Sequence, residues 1–263
     1  MLKRTITAIV AILLFFPFVI IGGWPFYLVM LLISSIGLFE LLRMRKMTTY
    51  KFPMMITMLL LWALLLQNLK IDGFTLPMID RMDLLLITAL LLLIYTVLVK
   101  NKFTFEDASF MLLGAVYIGL GFHYFIVIQE VGLQYIFYGI VVILATDTGA
   151  YFSGSLFGKN KLWPEISPKK TVEGALGGIV LATIAGLVYQ FIIPVHDSAL
   201  IVVVVSFTAS IVGQMGDLVE SAFKRHYDIK DSGRILPGHG GILDRFDSWL
   251  FVFPFLHFIY FVA

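Results

Sequence analysis

Residues Gln214–Ser248 read QMGDLVESAFKRHYDIKDSGRILPGHGGILDRFDS. Asp217, Glu220, Asp244 and Asp247 stand at the ends of two very apolar segments, and a short basic loop between them carries Lys224, Arg225, Lys230 and Arg234. The loop closes in Gly238-His239-Gly240-Gly241. Charge this dense beside apolar helix is costly at a membrane boundary and calls for a chemical reason. The remainder of the chain sharpens the contrast. Of its 263 residues 60% are hydrophobic and 14% charged, whereas soluble domains hold about 45–50% apolar and about 25% charged residues. The composition therefore predicts an all-α, polytopic membrane protein. A single integral-membrane domain is expected over 1–263, with an N-terminal transmembrane region at 1–104 and a catalytic one at 105–263. There is no cysteine, which excludes disulfides and thiolate metal sites. The net charge of +2 says little by itself, and no nucleic-acid partner is expected.

Outward from that stretch, nine apolar spans are expected, at about 5–22, 24–44, 53–69, 82–99, 108–129, 134–157, 172–193, 199–225 and 241–262. Each is long enough to cross about 30 Å of hydrocarbon as a helix. The first follows Lys3-Arg4 and imitates a signal peptide, but it lacks a small-residue cleavage pattern and further spans follow at once. Seventeen of the nineteen Lys and Arg residues fall on one side of this arrangement, leaving only Lys70 and Arg81 on the other. The positive-inside rule makes the first side cytoplasmic, with the N-terminus in and the C-terminus out. The connector Ile71–Asp83, with Asp72, Asp80 and Asp83, reads as a plain outer loop. Glu40, near the end of the second span, reads first as a snorkelling interfacial acid, with a functional role as the alternative.

Three further groups carry candidate chemistry. Asp147-Thr148-Gly149-Ala150 places an acid in the second half of the sixth span, and an intramembrane acid is a functional candidate by default. Gly154 and Gly158 beyond it have the four-residue spacing of close helix packing. In Ser167-Pro168-Lys169-Lys170-Thr171-Val172-Glu173-Gly174, Pro168 fits a loop, Thr171 an N-cap, and Glu173 the positive end of a helix dipole. That segment is either a capped helix start with a basic flank, or it turns Lys169 and Lys170 toward anionic groups. Asp217, Glu220, Ser221 and Lys224 share one helix face, and Asp244 and Asp247 lie three apart on the next helix. Acids on two helices can converge on a hard cation; magnesium keeps open positions for substrate phosphates. The bland alternative is a structural Asp–Arg network through Arg225 and Arg245. The glycine-rich tetrapeptide allows backbone N–H groups close to an anion; His239 then either donates to phosphate or hydrogen-bonds within the loop.

From Ser221 to Asp247 the chain follows S-x-F-K-R-x4-K-D-x-G-x2-L-P-x-H-G-G-I-x-D-R-F-D. This resembles the signature of the phosphatidate cytidylyltransferases, also called CDP-diacylglycerol synthases, with no departure at a fixed position. Asp147-Thr148-Gly149-Ala150-Tyr151 and Ser167-Pro168-Lys169-Lys170-Thr171 resemble that family too, so the likeness is close over the C-terminal half. It implies a polytopic helical enzyme, usually a homodimer, making CDP-diacylglycerol and pyrophosphate from CTP and phosphatidic acid in the lipid bilayer. It implies Mg2+ at Asp217 and Asp244, and K+ as a second ion. Residues and resemblance together assign catalytic roles to Asp217, Asp244, Asp247, Lys224, Arg225 and His239, with Asp217, Asp244 and Asp247 on the metal. They assign substrate contacts to Asp147, Ser167, Lys169, Lys170, Lys230, Gly240, Gly241 and Arg245. The expected location is a bacterial inner membrane, with the site facing the cytoplasm. Two other readings stand beside this one. An ion-coupled transporter is disfavoured because the acids gather near one face and no inverted repeat is visible. A CTP-dependent lipid kinase would transfer the γ-phosphoryl group to a lipid hydroxyl instead.

Overall fold

The computed structural model describes residues 2–67 and 80–262; of the outer connector expected at 71–83, residues 71–79 lie outside the described residues, while Asp80 caps a helix that begins at Arg81. The structure is mostly helical: α1 (Leu2–Ile21), α2 (Gly23–Met44), α3 (Lys51–Leu65), α4 (Arg81–Leu98), α5 (Phe105–Val131), α6 (Leu133–Phe157), α7 (Val172–Ile192), α8 (Ala199–His226), α9 (Leu243–Phe246) and α10 (Trp249–Phe258). Six of these, α2, α4, α5, α6, α7 and α8, are long and apolar enough to cross a membrane. The chain is an integral membrane protein with multiple apolar helices. The other three expected spans correspond to shorter apolar helical stretches at Ile9–Ile21, Lys51–Leu65 and Trp249–Phe258.

Two expectations are corrected. The last span is not one helix: residues 241 and 242 belong to the preceding loop, and the helix is interrupted at Asp247-Ser248. The Asp247 side chain accepts the Ser248 N–H at 2.7 Å, a local bond that competes with the helical ladder. Nor is the chain purely α-helical. Between α6 and α7, β1 (Lys161–Trp163) and β2 (Ser167–Thr171) form an antiparallel pair, with Lys161 opposite Thr171 and Trp163 opposite Ser167. Pro168 turns Ser167 away from helical geometry and has no N–H to donate. In a two-stranded ladder every strand is an edge, where proline is tolerated.

The chain divides into two compact units, Met1–Ile126 with Ser232–Leu243, and Val127–Asp231 with Asp244–Ala263. In the first, Phe125 stacks on Phe15 and meets Phe26 edge-on. Arg45 pairs with Asp107 at 2.7 Å, and the second Asp107 oxygen caps α5 by accepting the Thr104 N–H at 3.0 Å. In the second unit, α6 and α7 run antiparallel with their backbones touching. A methyl group on Gly149 would meet the Gly177 carbonyl at 2.7 Å, and one on Gly178 the Thr146 carbonyl at 2.7 Å. Helices without water between them associate by such close packing of small residues. Gly154 and Gly158 serve packing as well, both lying against Thr171. The opposite flank of α7 exposes Leu176, Val180, Ile184, Val188 and Phe191. Helix α8 packs antiparallel on α10, where Gly216 lies against the Asp247 carbonyl.

Candidate active site

Helix α8 presents Asp217, Glu220, Ser221 and Lys224 as one face, as their spacing predicts. Glu220 is 2% exposed. The Lys224 ammonium donates to Glu220 Oε2 and to Asp244 Oδ1, each at 2.7 Å, so it bridges α8 to α9. The Glu220 Oε1 atom is buried with no hydrogen-bond partner among the described residues. Asp217 pairs instead with Lys170, at 2.6 Å, and accepts from the Ser221 hydroxyl at 3.3 Å. Asp147 from α6, Asp217 from α8 and Asp247 from the α9–α10 break lie within electrostatic range of one another, with Lys170 and Arg245 acting on Asp147. Glu220 likewise feels Asp244 and Asp247. The second unit therefore gathers five acids, from α6, α8, α9 and the α9–α10 break, around two lysines.

Lys170 and Lys224 make ion pairs with the acids of this cluster. Arg225 donates to the Ile166 carbonyl at 3.1 Å, fastening the end of α8 to the β-hairpin; Arg245 is exposed. Lys170 reaches Asp217 because strand β2 carries it there. Successive side chains of a strand point to opposite faces, so Lys169, its neighbour, is directed away and is exposed. Ser167 sits in the ladder opposite Trp163, and Lys230 is exposed on the loop after α8. Thr171 caps α7 as its residue type suggests, accepting the Gly174 N–H at 3.1 Å. Glu173 does more than face a helix dipole. Its carboxylate accepts the backbone N–H of Lys159 at 3.1 Å and of Asn160 at 3.2 Å, and the Asn160 side chain at 2.8 Å, anchoring the entry to the hairpin that delivers Lys170.

His239, Gly240 and Gly241 belong to the first unit. Leu236 and Gly240 pair as an isolated bridge, and the His239 N–H donates to the Leu236 carbonyl at 2.9 Å. Gly238 and Gly240 have φ of +79° and +86°, a left-handed geometry that glycine adopts without strain. Gly241 faces Glu40. This corrects the reading of Glu40 as a snorkelling acid: it is 4% exposed and accepts from Ser232, Ile242 and Leu243. A carboxylate with hydrogen-bond donors on both oxygens need not reach for water.

Among the described residues, no three acidic or histidine side chains close on one point as metal ligands. Of Asp217, Asp244 and Asp247, the acids expected on the metal, two carry ammonium partners: Asp217 has Lys170 and Asp244 has Lys224. Two residues of this chemistry were absent from the predicted site: Glu220 and Glu40. The spacing put Glu220 on the α8 face without marking its burial. For Glu40 the only sequence signal is an acid inside an apolar span.

The cytidylyltransferase family model matches residues 2–263. The chain is 51% identical over 262 residues to a phosphatidate cytidylyltransferase of Bacillus subtilis, covering 98% of this chain and 97% of the relative. It is 45% identical over 254 residues to one from Staphylococcus epidermidis and 42% identical over 254 residues to one from Staphylococcus aureus, each time covering 97% of this chain and 96% of the relative. With its end-to-end match and its acids and lysines gathered on α6, α8, α9 and the hairpin, the chain belongs to the phosphatidate cytidylyltransferase family.

Proposed function

We propose that the acid–lysine cluster of the second unit carries out the family reaction, in which CTP and phosphatidic acid become CDP-diacylglycerol and pyrophosphate. The observation that carries this reading is the full-length identity to phosphatidate cytidylyltransferases, joined to a cluster built from phosphate-compatible groups. A phosphate oxygen of phosphatidic acid attacks the α-phosphorus of CTP, the bond to the β-phosphate oxygen breaks, and pyrophosphate leaves. The nucleophile is already ionised near neutral pH, so no strong general base is required. The difficulty lies in bringing two anions together and in holding the charge that develops on the leaving group. Lys170, Lys224 and Arg245 supply positive charge and position.

The donor set suits a hard divalent cation. It is made of carboxylates, and the Glu220 Oε1 atom is a buried acceptor lacking a hydrogen-bond partner among the described residues. Asp217, Asp244 and Asp247 would hold Mg2+, which when bound supplies positive charge across the substrate phosphates. In that state phosphates take over Lys170 and Lys224, which the acids now hold. K+ as a second ion is what the family resemblance implies. Arg225, His239, Ser167, Lys169, Lys230, Gly240 and Gly241 are assigned to substrate phosphates and the approach to them.

The proposal extends to the whole chain. It crosses a bacterial inner membrane nine times with its N-terminus inside, works as a homodimer, and uses residues 105–263 for catalysis and 1–104 for support. CTP then meets the site from the cytoplasm while the lipid enters from the bilayer. Product analysis with purified protein is the test. CDP-diacylglycerol and pyrophosphate in equal amounts are expected. Release of CDP with a phosphorylated lipid would identify a kinase, and absence of CTP turnover would point to transport.

A further inference from the structure

Glu40 lies far outside the Ser221–Asp247 pattern, yet the loop of that pattern closes on it. One oxygen of its buried carboxylate accepts the Ile242 N–H at 3.1 Å; the other accepts the Leu243 N–H and the Ser232 hydroxyl, both at 3.1 Å. Gly233 and Gly241 approach so closely that a methyl group on either would overlap the carboxylate. On the same helix, Gly37 lies against the Leu243 side chain, where a methyl group would sit 3.2 Å away. Five positions of one loop, Ser232, Gly233, Gly241, Ile242 and Leu243, are thus gathered on α2 around one acid, all within the first unit.

A buried carboxylate is tolerated when donors satisfy both oxygens. Here the loop supplies those donors, so the acid and the loop shape fix each other. The backbone N–H groups of Ile242 and Leu243 are thereby occupied by the protein's own carboxylate. The next residue along the chain is Asp244, the partner of Lys224. We propose that Glu40 is a positioning residue for cytidylyl transfer: its carboxylate fixes the start of α9 and so determines where Asp244 is presented. This rests on the role given to Asp244 above. Neutral glutamine would serve poorly at position 40. It keeps one acceptor oxygen but turns an NH2 group toward a donor.

The test uses full-length purified protein, assayed for CDP-diacylglycerol across a magnesium titration and normalised to the monodisperse fraction. Three variants are compared: Glu40→Gln, Ser232→Ala and Asp244→Asn. A loss of placement of about 1 Å costs on the order of a hundredfold in rate. Glu40→Gln should therefore lower kcat at least about tenfold while leaving KM for CTP within about twofold. Its magnesium concentration for half-maximal rate should rise. Ser232→Ala removes one of the donors to Glu40 and should shift the same quantities in the same direction by less. If Glu40→Gln turns over like wild type per folded molecule with an unchanged magnesium requirement, Glu40 is merely structural and the proposal is overturned. If that variant does not yield monodisperse protein, an unchanged magnesium requirement in Ser232→Ala overturns it instead. Asp244→Asn separates the two levels. Should it keep wild-type turnover, the role of Asp244 falls and the inference falls with it. Should it lose turnover while Glu40→Gln does not, only the inference falls.

Discussion

Asp217 and Asp244 have different partners in the same cluster, and each tests it from one side. Replacing either by asparagine keeps size and polarity but removes the charge on which a hard, hydrated cation depends. Turnover should fall by about a hundredfold or more in each variant at saturating magnesium. A variant retaining about a third of wild-type turnover would remove that residue from the metal set. Lys170 and Lys169 offer a finer comparison, because strand alternation separates them. Lys170→Ala should lower kcat, as its ammonium lies at Asp217; Lys169→Ala should chiefly raise KM, acting on phosphates in ground and transition states alike. Steady-state kinetics with varied CTP distinguishes the two, and equal effects on kcat would contradict the strand geometry. The sequence made most of these side chains legible, since acids and lysines in apolar surroundings stand out. It did not reveal their pairing. Nothing in the spacing of Lys224 states that it bridges Glu220 and Asp244, and nothing around Glu40 announces a partner two hundred residues away.

The β-hairpin and the glycine-lined helix pair are where elements, rather than residues, do the positioning. Glu173 holds the hairpin entry through Lys159 and Asn160. Glu173→Ala should loosen the strand that carries Lys170, lowering kcat several-fold with little change in thermal unfolding of the helices. Gly178→Val tests the opposite case. Its Cβ would meet the Thr146 carbonyl at 2.7 Å, and overpacking of this kind destabilises by about 1–3 kcal/mol. Heat unfolding in detergent should shift to lower temperature, while the folded fraction keeps its KM. The helices themselves were readable from their hydrophobic lengths, and α6, α7 and α8 fall within a residue or so of expectation. The hairpin was not, because three- and five-residue strands leave almost no periodicity, and Pro168 reads equally as a loop. The break at Asp247 escaped for a related reason: a hydrophobic run gives no sign that an aspartate will bond its own neighbour's backbone.

Across the whole molecule, the proposed topology puts the Lys- and Arg-rich set of loops inside the cell. Single cysteines in 159–170 and 226–238 should resist an impermeant maleimide in intact cells and react after the membrane is opened, whereas cysteines in 194–198 should react at once. The chain's lack of native cysteine makes the readout clean. Labelling of 226–238 from outside would overturn both the topology and the site's access to CTP. What the sequence could not divide is the fold itself. The loop 232–243 packs with the first 126 residues, while the residues on either side of it pack elsewhere. Linear reading sees neighbours in order and not in space, so it gives no sign of that return of the loop to the first unit.

The pairing of Lys170 with Asp217, and of Lys224 with Glu220 and Asp244, has a consequence for how the enzyme comes into being. Asp217, Glu220 and Asp244 carry their own counter-ions, so the fold is expected to mature in the membrane without waiting for a metal supply. Prolonged chelation should then silence the enzyme without unfolding it. The thermal transition should stay within about two degrees of the untreated protein, since a ligand that is not needed for folding adds stability only by mass action. Turnover should return in full on adding magnesium. A chelated sample that aggregates, or stays inactive after repletion, would show instead that the ion is part of the scaffold.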